Sequence, residues 1–256
     1  MIVKISELFI FLENQLQEII INYDNKGAVL VDGKRNKIKL FDLEGHNINI
    51  KFFKKPNFIN SLIYKFFRKS KARRSFDNAT FLLENNIGTP QPIAYFEDFK
   101  FIRLRKSFYA CEHLISDLTF RELVEISNYP DSENILRQFT HFSFALHENG
   151  IEFLDHSPGN TLIKKVSEKQ YEFFLVDLNR MNFHQSMSFE TRMKNLCRLT
   201  PHKDMIAIIA NEYSKLSGES ETIIFETLWN YTSSFQKQFY RKKRLKKKLK
   251  FWKNQF

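Results

Sequence analysis

Between Gly150 and Asn179 the chain places acidic and amide side chains at the edges of two apolar runs, and no other stretch restricts the possible fold as much. The first part reads Gly150-Ile151-Glu152-Phe153-Leu154-Asp155-His156-Ser157-Pro158-Gly159-Asn160-Thr161-Leu162-Ile163. Asp155 lies in a polar turn marked by Pro158 and Gly159, and Asn160 follows five positions later at the mouth of an apolar strand. A second run, Phe173-Phe174-Leu175-Val176, ends on Asp177. Chemically, one carboxylate in a turn can orient or deprotonate a hydroxyl, while an Asn and an Asp supply the hard oxygens that a magnesium ion prefers. Asp and Asn also populate turns for purely local reasons, so the spacing needs support from the rest of the chain.

Protein kinases use this order: an Asp base, an Asn, and a second Asp on the metal. With 256 residues the chain can bury a core as one large domain or two lobes. Its 43% apolar and 15% aromatic content, including 28 phenylalanines, excludes a disordered chain. The formal charge of +11 favours polyanions such as nucleic acid, anionic lipid or phosphorylated sugars, without choosing among them. Cys111 and Cys197 offer neither a metal-ligand spacing nor a disulfide framework, which suits a reducing cytoplasm. Glu13 and Glu18 interrupt the apolar pattern near the start, and nowhere do 18 apolar residues run unbroken. The chain is therefore expected in the cytosol, without a membrane span.

Leu8, Phe11, Leu12, Leu16 and Ile19 predict an opening helix, or helix plus strand, over residues 5–21. The runs Lys37–Leu43 and Asn47–Phe53, joined at Glu44-Gly45, predict a β-hairpin with Ile48, Ile50 and Phe52 on one face. Lys51 points to the other face, the place expected of a strand lysine that meets the ATP phosphates. No G-x-G-x-x-G precedes it, so any loop covering the phosphates is degenerate. Residues 51–74 form a basic amphipathic segment without an acid. A helix is expected from about Ala72 to Asn85, stopped by Asn86-Ile87-Gly88-Thr89-Pro90. Asp77 is the first candidate on it for an acidic partner of Lys51, and Glu84 the second. Three apolar runs follow, Pro92–Glu97, Phe99–Leu104 and Phe108–Leu114; the last is the expected lobe connector, where backbone groups of Glu112, His113 and Leu114 could meet adenine. Helices are expected over Thr119–Ile126, Ser132–Glu148, 187–198 and 201–216, and from about Ser220 into the tail. His147 is read as a packed or exposed helix histidine. His156 could touch substrate or satisfy the local turn, and Arg180 could clamp an acidic group or pair internally.

Ten lysines and arginines lie between Lys237 and Lys253, and no acid follows Glu226. Phe239, Leu245, Leu249 and Trp252 fall near one face of this stretch, as in a helix resting on anionic lipid. A solvated basic tail and a nucleic-acid contact are the other readings, although no nucleic-acid-binding signature accompanies the charge.

Gly150–Asn160, Val176-Asp-Leu-Asn-Arg-Met-Asn-Phe183 and Phe52-Phe-Lys-Lys-Pro-Asn57 together resemble the bacterial lipopolysaccharide kinase family, which includes Kdo kinases and core-heptose kinases; the chain looks like a Bacteroidetes-type member. The likeness runs from about residue 20 to 220. It implies an α+β, protein-kinase-like fold with a small N-terminal antiparallel β-sheet lobe carrying one main helix, and a larger helical C-terminal lobe. The corresponding division is 1–112, 113–234 and a basic tail 235–256. The resemblance further implies ATP and Mg²⁺, with Lys51 on the phosphates, Asn160 and Asp177 on the metal, and Asp155 as base. The acceptor would be a sugar hydroxyl of the lipid A–core precursor at the inner face of the inner membrane. Phe153 stands where the family commonly has a histidine, and Asn179 where protein kinases have the glycine of Asp-Phe-Gly. A membrane-docked pseudokinase or binding module of the same fold, and a basic nucleic-acid-binding protein, are the rival classes.

Overall fold

The computed structural model describes residues 1–33, 36–54, 69–101 and 103–253. Most of the basic segment expected over 51–74 therefore lies outside the described residues. The chain divides into two compact units: the first comprises Met1–Ile115 together with Phe174–Arg180, the second Ser116–Phe173 and Met181–Phe256.

In the first unit six antiparallel strands form one sheet. They are β1 (Ile2–Ile5), β2 (Ala28–Asp32), β3 (Asn36–Leu43), β4 (His46–Phe53), β5 (Pro92–Lys100) and β6 (Arg103–Glu112), ordered β1-β5-β6-β4-β3-β2. The β3–β4 hairpin forms where expected because Glu44 (φ 51) and Gly45 (φ 82) both take the left-handed backbone that a two-residue turn matched to strand twist requires. The opening segment is a strand, a 3-10 helix over Glu7–Leu12 and helix α1 (Glu13–Ile21). Leu12, Leu16, Ile19 and Ile20 bury against Ile48, Ile50, Phe96 and Phe108 of the sheet. Helix α2 (Lys71–Glu84) starts where the Ser70 hydroxyl accepts from the Arg73 N–H. It ends at Asn86 (φ 58), with the Ile87 N–H returning to the Leu82 carbonyl. Its buried stripe, Ala72, Ser75, Phe76, Ala79 and Leu82, packs onto the sheet, with Phe76 meeting Tyr95 edge to face. The run Phe99–Leu104 is not an element of its own. It straddles the β5–β6 turn at Phe101 (φ 55), so two long strands replace three short runs.

The second unit gathers α3 (Phe120–Glu125), α4 (Ser132–Glu148), α5 (Phe189–Leu196), α6 (Lys203–Ser217) and α7 (Glu221–Lys253) with the short strand β7 (Leu118–Thr119). Strand β8 (Ile151–Phe153) pairs with β11 (Met181–Phe183), while β9 (Thr161–Ser167) lies between β7 and β10 (Gln170–Leu175). Phe120, Ile135, Phe139, Met193, Ile206, Ile209, Tyr213, Ile224 and Leu228 fill its core. Gly218 (φ 76) ends α6 in the left-handed cap. No Gly or Pro follows it, and α7 runs on for 33 residues. Ile224, Leu228, Thr232 and Phe235 form its inner stripe; every residue from Lys237 to Lys247 is exposed. Among the described residues no helix is long and apolar enough to cross a membrane.

Candidate active site

Strand alternation turns Ile48 and Ile50 into the core under α1, so Lys51 must leave the sheet on the opposite face. Its ammonium passes 5.3 Å from the Phe53 ring and reaches the Asp177 carboxylate, Nζ to Oδ1, at 2.6 Å. The segment that carries Asp177 belongs to this same unit and is tied to it at several points. The Leu175 N–H donates to the Gly88 carbonyl (2.9 Å), and the Thr89 hydroxyl donates to the Leu175 carbonyl (2.8 Å). Asn78 of α2 donates to the Leu178 carbonyl at 2.6 Å. Asp177 itself holds a left-handed backbone (φ 61), which for a non-glycine residue must be sustained by its surroundings. Asn179 donates to the same Oδ1 that Lys51 holds, at 2.7 Å.

Asp77 does not meet Lys51. Its carboxylate accepts from Lys69 at 2.6 Å and lies 3.8 Å from the Arg73 guanidinium. Glu84 is exposed at the end of α2. The residue of α2 that faces the Asp177 segment is Asn78, one position on from the expected acid. Position 78 lies three from Ser75 and four from Leu82, on the buried stripe, and that spacing could have marked it. At the expected connector, the Glu112 N–H already donates to the Gln91 carbonyl (3.0 Å) and the His113 N–H to the Asn47 carbonyl (2.7 Å). Both N–H groups are thus committed within the first unit, and Leu114 lies just past the end of β6.

In the second unit the chain enters β8 through Gly150 (φ 67), where the His184 carbonyl occupies the space a Cβ would need. Asp155 follows in the turn after β8, half-buried, and a 3-10 turn over Pro158–Asn160 leads into β9. Three consecutive carbonyls of this turn are each taken by a side chain. Asn195 donates to Phe153 O at 2.8 Å, Arg198 to Leu154 O at 3.0 Å, and Asn160 to Asp155 O at 2.8 Å. Because the Asn160 amide nitrogen is so engaged, its Oδ1 is turned away from that carbonyl. His156 is fully buried rather than a surface turn residue, its Nδ1 3.2 Å from Asn195 Oδ1. Phe153 is also fully buried, with its ring against His156. His147 is packed inside α4, and Arg180 is exposed. Neither Asn195 nor Arg198 stood out in the sequence, since each lies more than 40 positions from the carbonyl it holds.

Each unit, taken by itself, holds an oxygen donor of the kind magnesium prefers: in the first the Asp177 carboxylate, whose bonds to Lys51 and Asn179 both fall on Oδ1, and in the second the Asn160 amide, its oxygen directed away from its own bond.

No family model matches the sequence, and no curated protein matches it. Among solved structures the fold is similar to one described as WaaP in complex with acyl carrier protein, at 16% identity and a TM-score of 0.64, covering 93% of this chain and 98% of that one. The chain thus has the α+β, kinase-like architecture of WaaP: an antiparallel N-terminal sheet followed by a mainly helical part. At this identity the likeness is one of fold.

Proposed function

We propose that the chain is a phosphotransferase that moves the γ-phosphoryl group of ATP onto a sugar hydroxyl of a lipopolysaccharide precursor, a Kdo or a core heptose. The observation that carries this reading is the 2.6 Å pair between Lys51 and Asp177, on a fold shared with WaaP. Lys51 would hold the phosphates, and Asp177 and Asn160 would supply the oxygens that hold Mg²⁺. When bound, the ion neutralises charge on the phosphates. Asp155 accepts the proton of the acceptor hydroxyl as the phosphoryl group leaves ATP. Little covalent work falls to the protein, so positioning and charge supply the rate enhancement. The exposed basic part of α7 is assigned to an anionic bilayer surface, which would keep the enzyme peripheral on the cytoplasmic face of the inner membrane beside a lipid-linked acceptor. The acyl carrier protein of the WaaP complex is a second partner to test by co-purification.

The test is incubation of the purified chain with Mg-ATP and a Kdo–lipid A precursor, followed by mass measurement of the lipid. One added phosphate is expected, abolished in Asp155→Ala protein that remains folded. Transfer by Asp155→Ala at the wild-type rate would overturn the assignment of the base.

A further inference from the structure

Beneath the turn that carries Asp155 lies a chain of buried polar groups that the phosphotransfer reading does not use. Tyr213 of α6 meets His147 Nδ1 at 2.9 Å, and His147 Nε2 lies 3.3 Å from Asn195 Oδ1. The same Oδ1 meets His156 Nδ1 at 3.2 Å, while Asn195 Nδ2 donates to Phe153 O. His147, His156 and Tyr213 are at most 1% exposed, and Asn195 is 7% exposed. The Asn195 amide of α5 thus joins His147 of α4 to the end of β8 and the turn after it, and Tyr213 of α6 holds His147 from behind.

The bonding pattern fixes every member. An amide oxygen accepts only, so His147 must present Nε2–H and His156 Nδ1–H to it. His147 Nδ1 is then a lone pair, which suits the Tyr213 O–H as donor. The Phe153 carbonyl fixes the amide's orientation: Asn195 can turn only its NH₂ toward it, since the flipped amide would put oxygen against oxygen. Burial, the leading cause, holds His147 down at about 3 and His156 at about 4, so both rings stay neutral, as this pattern needs. His156 Nε2 has no hydrogen-bond partner and the ring lies among Phe139 and Phe153, so this histidine is kept for its Nδ1–H. A buried polar network with these members rigidifies what it touches, because any slip leaves a polar group unpaired in apolar surroundings.

We propose that Asn195 is a positioning residue for Asp155: its amide, held at its oxygen by His147 and His156, fixes the Phe153 carbonyl and with it the turn on which the Asp155 carboxylate is set. This rests on the proposed role of Asp155.

The experiment compares Asn195→Ala, Asn195→Asp, His156→Leu and His156→Asn with wild type in the full-length chain. Asn at 156 can place an amide donor where His156 Nδ1–H stands, whereas Leu cannot. Two readouts are taken: steady-state transfer from Mg-ATP to the Kdo–lipid A precursor, and hydrogen exchange of amides in residues 151–160. Asn195→Asp and His156→Leu are expected to lower kcat by about 10- to 100-fold with KM for ATP unchanged, and to speed exchange across the turn. His156→Asn is expected to restore both to within a few-fold of wild type. Asn195→Ala is expected to behave as Asn195→Asp does, and should neither Asn195 variant fold, the two His156 variants decide alone. Folded Asn195→Asp and His156→Leu proteins with wild-type kcat, or with unchanged exchange in the turn, overturn the proposal. Wild-type protein that transfers nothing overturns the function proposed above and the catalytic half of this inference; the exchange data then decide the anchoring half.

Discussion

Lowering the pH from 7.5 to 5.0 should weaken the second unit by an amount set by two histidines. Burial keeps His147 neutral down to about 3 and His156 down to about 4, while in the unfolded chain each takes up a proton near the ordinary value of 6.5. The folded-state values are depressed, so the stability is fully present above 6.5 and is lost as pH falls toward 4 and 3. At pH 5 the unfolded state has gained about one and a half pH units of protonation free energy, roughly 2 kcal/mol per histidine and about 4 kcal/mol for the pair. That is a large part of the 5–15 kcal/mol typical of a domain. Urea unfolding at the two pH values measures it, in a Trp252→Phe background that leaves Trp229, packed against the core of the second unit, as the reporter. His156→Asn should roughly halve the loss to about 2 kcal/mol, whatever it does to stability at pH 7.5. A wild-type loss under about 1 kcal/mol, or an equal loss in His156→Asn, would refute the claim that these rings are held neutral inside the fold.

The Asp177 segment should respond to α2 through Asn78 and not through Asp77. Asn78→Ala removes the bond to the Leu178 carbonyl and leaves that buried carbonyl unpaired, at a cost of about 1–3 kcal/mol, and should raise KM for ATP. Asp77→Ala should leave KM for ATP within about twofold of wild type, since its partners are Lys69 and Arg73. The exposed end of α7 should govern membrane association: Lys242, Lys243, Lys246 and Lys247 changed together to Glu are expected to weaken sedimentation with phosphatidylglycerol vesicles by about tenfold or more. High salt should reproduce that weakening with the wild-type chain, and association indifferent to both changes would remove the bilayer from the account.

What the sequence made legible was local. Glu44-Gly45 between two apolar runs read as a hairpin, and the span expected from about Ala72 to Asn85 meets α2 to within a residue at each end. Asp155 and Asn160 share one turn because five residues cannot take them far apart, and there the Asn160 amide holds the Asp155 carbonyl. The illegible parts depend on separations the chain closes only when folded. Asn195 sits 42 positions from Phe153, with no spacing or composition to mark it out. Asn78 lies a single step of about 100° around the helix from Asp77, and a reading by charge weighed only the acids, Asp77 and Glu84. The commitment of the Glu112 and His113 N–H groups followed from strand register, which residue type alone does not set. That residues 174–180 join the first unit, bringing Asp177 to Lys51, is likewise a long-range outcome: the ties run to Gly88, Thr89 and Asn78, about a hundred positions away.

The account turns on Lys51 and Asp177 serving a nucleotide and its metal, and calorimetric titration with Mg-ATP tests that claim at its root. Saturable binding by the wild-type chain is expected, lost with EDTA, weakened about tenfold or more in Lys51→Ala and Asp177→Ala, and kept in Asp155→Ala. Absence of Mg-ATP binding by the wild type, or equal affinity in all three variants, would contradict it.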